Sequence, residues 1–145
     1  MNSVERSVRA TLLASLRDTG EAPALGELAT TLAAPEDAVT SALRSLAADH
    51  RLALVPSTDR VWMAHPFSAL PSDFLVTIGD RRWFANCVWD GLSILALLGD
   101  GTLETHSPAT GEPIELTASM GAVMGEALVH FLVPARRFWD DIGFT

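Results

Sequence analysis

The chain has 145 residues, 48% of them hydrophobic and 19% charged, which suits one compact domain or two very small ones and excludes a disordered polymer. Its net charge is −8 and every cation is an arginine, so it has no general attraction for nucleic acid or for an anionic membrane. Cys87 is the only cysteine, which excludes an internal disulfide and fits the cytosol.

The first twenty residues mix Arg and Glu into the apolar positions and lack the unbroken core of a signal peptide. The longest apolar run, Leu92 to Leu98, is too short to span a bilayer. A cytoplasmic protein with no membrane partner is expected. Residues 3–18 read as a first helix, with Val4, Val8, Leu12 and Leu16 at helical spacing and Ser3 as the cap. A short second helix follows near 24–32. Pro35 opens a third, with Glu36 and Asp37 in its first turn and Val39, Leu43 and Leu46 as its buried stripe. Residues 51–55 and 60–64 alternate as two strands around the turn PSTD. Three helices and a hairpin make a winged-helix-like pattern over residues 1–66.

That pattern raises DNA binding, because the third helix would be the reader. It offers Glu36, Asp37 and Asp49 against Arg44 alone, and a phosphate-binding face must be basic. Nucleic acid is therefore not an expected partner, and the module reads as a scaffold for the second half. His65 to Pro71 reads as a linker. Beyond it, residues 74–78 and 82–86 form a hairpin around Gly79-Asp80. Residues 102–106 and 114–118 are short strands around a second turn. Ala127–Val133 reads as a central strand, being apolar and β-branched, and Pro134 opens a last short helix.

Between the hairpin and the second strand pair lies RRWFANCVWDGLSILALL, residues 81–98. Its helix is apolar nearly all round and should be buried, ending at Gly99. Cys87 stands at its mouth and Asp90 three residues later, so thiol and carboxyl share a face. The positive end of the helix favours a thiolate. A carboxyl in apolar surroundings is costly to ionise without a partner and tends to keep its proton. A ready thiolate beside an acid is a site for soft-metal capture and proton delivery. By itself Cys-x-x-Asp is more often a small buried hydrophobe followed by a capping acid. Trp83 and Trp89 flank the thiol, and either could wall an apolar pocket. His50, His65, His106 and His130 show no metal-ligand spacing. His106, in THSPATG, either faces the site or has a hydrogen-bonding structural role, the latter favoured, and His130 reads as a partnered core residue in its strand.

The stretch GDRRWFANCVWDGLSILALLGDG, with the later THSPATGEPIELT, resembles the alkylmercury (organomercurial) lyase family over roughly residues 74–144. The resemblance implies carbon–mercury bond protonolysis. Family members use two cysteines and one aspartate: Cys87 matches the first cysteine and Asp90 the aspartate. The second follows a Phe of the kind in Gly143-Phe144-Thr145 and is not in this chain, and a structural third falls at Ser107. The expected chemistry is organomercury or Hg(II) bound on Cys87 as substrate and product, with Asp90 as the proton carrier and no resident cofactor. The missing sulfur would have to come from a low-molecular-weight thiol or a partner chain, so turnover is slow or absent without one. The expected architecture is α+β: the winged-helix-like module over 1–66, then a small mixed β-sheet region over 67–145 whose buried helix carries the site. An open sheet edge favours a homodimer. The competing readings are a non-catalytic regulator, whose winged helix binds DNA and whose thiol senses soft metal or oxidant, and a relative that keeps the fold but binds or cleaves a non-mercury substrate such as another soft electrophile.

Overall fold

Each of the first two helices begins where an acid three residues on accepts the N–H of the capping residue. Helix α1 (Ser3–Thr19) starts at Asn2, which accepts the Glu5 N–H at 3.0 Å while Glu5 accepts the Asn2 N–H at 2.6 Å. The cap is thus Asn2 and not Ser3. A reciprocal cap needs an acid three residues on, and Glu5 stands there for Asn2, whereas Ser3 would meet Arg6. Helix α2 (Leu25–Leu32) uses Glu27 in the same way, accepting the Ala24 N–H at 2.8 Å. Helix α3 (Glu36–Ala48) follows Pro35 with two acids in its first turn. Val8, Leu12 and Leu16 of α1, Leu28 of α2 and Val39, Leu43 and Leu46 of α3 close into one apolar core. The Ser45 hydroxyl donates to Glu5 at 2.9 Å across it.

This is a computed structural model describing residues 1–144; Thr145, the end of the expected second region, lies outside the described residues. The strands are β1 (Ala53–Leu54), β2 (Val61–Ala64), β3 (Phe67–Ser68), β4 (Leu75–Ile78), β5 (Arg81–Ala85), β6 (Gly101–His106), β7 (Pro113–Ser119) and β8 (Ala122–Met124). They form one eight-stranded sheet in the order β1-β2-β3-β5-β4-β6-β7-β8. Every pairing is antiparallel, where a mixed sheet was expected. The reason is topological. Helix α4 (Val88–Leu98) carries the chain from β5 over β4 to β6, so β5 and β6, which run parallel, are kept apart by β4. The segment read as a linker holds β3, which pairs with β2 on one side and β5 on the other. Its Phe67 and Ser68 are buried.

Two expectations about burial give way. Helix α4 is not buried all round: Gly91, Ile94 and Leu95 face the sheet, while Trp89 is 61% and Leu97 67% exposed. A helix lying on one face of a sheet has only one side to cover. Ala127–Val133 is not a central strand. The edge beside β7 is taken by β8, and the chain leaves the sheet at Gly125 (φ 126°), where a side chain would strike the Glu115 carbonyl. Apolar, β-branched composition makes a strand only where a neighbour is free to pair. The segment runs irregularly outside the sheet, with Leu128 and Phe131 exposed. Ala135–Asp140 then forms a short 3-10 helix, with Arg137 donating to Asp140 at 2.8 Å.

Candidate functional site

Strand β5 ends at Ala85, and the chain reaches α4 through Asn86 and Cys87. Cys87 is the cap of α4: its backbone is extended (φ −156°, ψ 177°), and its sulfur accepts the Asp90 N–H at 3.5 Å. The Cys87 carbonyl accepts the Gly91 N–H at 3.0 Å. A cysteine used as a cap keeps its sulfur at the helix mouth rather than within the packed face.

The Asp90 carboxyl lies one turn on, with 15% of its side chain exposed. It is not left without partners. Asn86 Nδ2 donates to Oδ2 at 2.8 Å, and His65 Nδ1 lies 3.0 Å from the same oxygen. Asn86 Nδ2 also reaches the Phe67 carbonyl at 3.3 Å, which ties the cluster to β3. Asn86 Oδ1 is buried without a hydrogen-bond partner among the described residues.

The thiol departs from the sequence expectation. Burial pushes the Cys87 thiol above its ordinary range, and the Asp90 charge adds to this; the N–H groups of Asp90 and Trp89 oppose the rise without cancelling it. Helix polarity alone predicts a ready thiolate, but desolvation of the sulfur outweighs it here. The Cys87 thiol therefore needs a base to release its proton.

Cys87, Asp90, His65 and Asn86 open into a cleft of about 660 Å³. Its floor includes Met63, Phe74 and Val88, and its far wall is the irregular run Val129–Ala135. Trp89 meets Phe131 edge-on at 6.5 Å, and Phe131 stacks on Phe138 at 5.7 Å, giving an aromatic rim. Trp89, not Trp83, is thus the wall. Trp83 is core, 3% exposed, and its indole N–H bonds the Leu16 carbonyl at 3.0 Å. His130 lines the cleft from an exposed, irregular segment and is not a core residue; His106 is exposed at the end of β6, away from it.

His65 and the 129–135 wall escape sequence reasoning. The one available signal for His65 was its place between two strand-like runs, a position shared by many uninvolved residues.

The fold and cleft define an α+β protein that sets one thiol and one hydrogen-bonded carboxyl in an apolar pocket. The alkylmercury lyase family model matches residues 67–145, and the chain belongs to that family. It is similar to the crystal structure of the mercury-bound form of MerB2, with 27% identity and a TM-score of 0.67. The likeness covers 86% of this chain and 60% of that one, so this chain spans about three-fifths of that protein's length. No curated protein matches the chain.

Proposed function

We propose that this chain captures organomercurials on Cys87 and breaks the carbon–mercury bond by protonolysis, with Asp90 carrying the proton. One observation carries the reading: a chain of the alkylmercury lyase family holds its only cysteine beside an aspartate in an apolar cleft. Mercury is soft and prefers sulfur. The substrate is an alkyl- or arylmercury already bearing a small thiolate. Asp90 takes the proton from the Cys87 sulfur, and the sulfur bonds to mercury. Asp90 then gives that proton to carbon as the carbon–mercury bond breaks. The hydrocarbon leaves, and mercury remains between Cys87 and the small thiolate. A second molecule of thiol returns a proton to Cys87 and removes the metal. The raised thiol pKa fits this order, because a thiol that holds its proton at neutral pH brings that proton to the reaction.

Residues 1–66 are a winged-helix-like module serving as scaffold, and 67–145 are the lyase-like region. In support, Trp83 of β5 bonds the Leu16 and Arg17 carbonyls of α1, and α3 presents Glu36 and Asp37 where a DNA reader needs cations. Among the described residues no helix is long and apolar enough to cross a membrane. A cytoplasmic location suits a reaction that consumes small thiols. The exposed β8 edge, with Val123 and Met124, suits pairing of two copies.

The test is mercury content by inductively coupled plasma mass spectrometry after exposure to methylmercury. Cys87→Ser should take up none. Asp90→Asn should still take up mercury, more slowly because the Cys87 proton must then leave to solvent, and release no methane. Unchanged metal in Cys87→Ser would overturn the site.

A further inference from the structure

The three acids at the third position of a helix behave differently. Glu5 and Glu27 both turn back to accept the N–H of their own capping residue. Asp90 occupies the equivalent position in α4, yet its carboxyl makes no such bond among the described residues. It points instead to His65, 25 residues away in sequence, on the connection between β2 and β3. Its Oδ2 receives both His65 Nδ1 and Asn86 Nδ2, while Oδ1 has no hydrogen bond among the described residues. The imidazole is itself held. Trp139 meets it edge-on at 5.9 Å, and Trp139 stacks flat on His50 at 4.4 Å.

We propose that His65 is the positioning residue of this site, donating from Nδ1 to Oδ2 of Asp90 so that Oδ1 is the oxygen that moves the proton between sulfur and carbon. The inference rests on the lyase reading above and deepens it. A carboxylate that rotates freely presents either oxygen in many directions, and a proton carrier gains rate by being held in one. Asn86 shares the task, but it lies on the same short segment as Cys87. His65 fixes the carboxyl to a separate part of the sheet. The Nδ1–H tautomer leaves Nε2 as the acceptor nitrogen.

The experiment uses the whole chain, loaded with methylmercury in the presence of a small thiol, and follows bound mercury and methane in a single turnover. His65→Ala should bind mercury as the parent does and release methane about tenfold more slowly or worse, the usual scale for losing an orienting partner. His65→Asn puts an amide N–H close to the place of Nδ1 and should recover much of the rate. Release by His65→Ala within about twofold of the parent would overturn the positioning role; so would parallel loss of binding and release with no recovery in His65→Asn. A parent chain that binds mercury but releases no methane would overturn the lyase reading, and the His65 role with it. Should His65→Ala fail to fold, ¹⁵N NMR of the parent decides the geometry. The ring proton on Nδ1 supports the proposal, and its place on Nε2 contradicts it.

Discussion

Substituting Gly91 tests why α4 lies close enough to the sheet to set Cys87 and Asp90 over the cleft. Gly91 is buried, and a methyl group there would come within 2.7 Å of Leu103 Cδ1 and 2.8 Å of Cδ2. Leu103 lies on β6, fully buried, and cannot swing into solvent. Two effects oppose each other in Gly91→Ala. Alanine in a helix interior stabilises by about 1 kcal/mol over glycine, while overpacking a closed core costs about 1–3 kcal/mol. The net is a loss of up to about 2 kcal/mol. Leu103→Ala alone should cost about 2–5 kcal/mol. In that background the methyl group has room, so Gly91→Ala should now stabilise by about 1 kcal/mol. Urea denaturation of the four proteins gives the coupling directly. A Gly91→Ala effect of the same sign and size in both backgrounds would refute the close-approach argument.

Alkylation of Cys87 should rise with a midpoint above the ordinary thiol value of about 8.5, because burial and the Asp90 charge both hold the proton on. Asp90→Asn removes that charge and should lower the midpoint; a midpoint below the ordinary value in the parent would contradict this. The folded thiol keeps its proton where the unfolded thiol has lost it, so stability should fall as pH rises from the ordinary thiol value to the raised one. Loss of stability in the opposite sense over that window would show the shift to be wrong. Trp83→Phe removes the indole bonds to Leu16 and Arg17 at 3.0 and 3.1 Å and should cost about 1–3 kcal/mol in thermal or urea unfolding. Asn2→Ala should cost about 1 kcal/mol; a neutral result would place the helix start elsewhere.

The helices were legible because their signals are local. Leucine and valine spacing marked α1 and α3, and Pro35 and Gly99 marked boundaries. The closeness of Cys87 and Asp90 follows from their spacing at a helix start, although Cys87 stands as the extended cap, accepting the Asp90 N–H, and not on a helical face. What failed depended on neighbours distant in sequence. Ala127–Val133 has strand composition, but β8 holds the edge it would have used, a fact set by the turn at Met120 and Gly121. The pKa direction of Cys87 depends on how deeply the α4 cap is covered, which helix polarity does not report. His65 gains its role only because β3 returns beside β5 and brings the preceding connection to the mouth of α4.

The most direct test is methane release from methylmercury, measured by gas chromatography with and without a small thiol. Cys87 acting with a borrowed sulfur predicts release when the thiol is present and slow or absent release without it. Equal release under both conditions, or none with abundant thiol, would contradict the account.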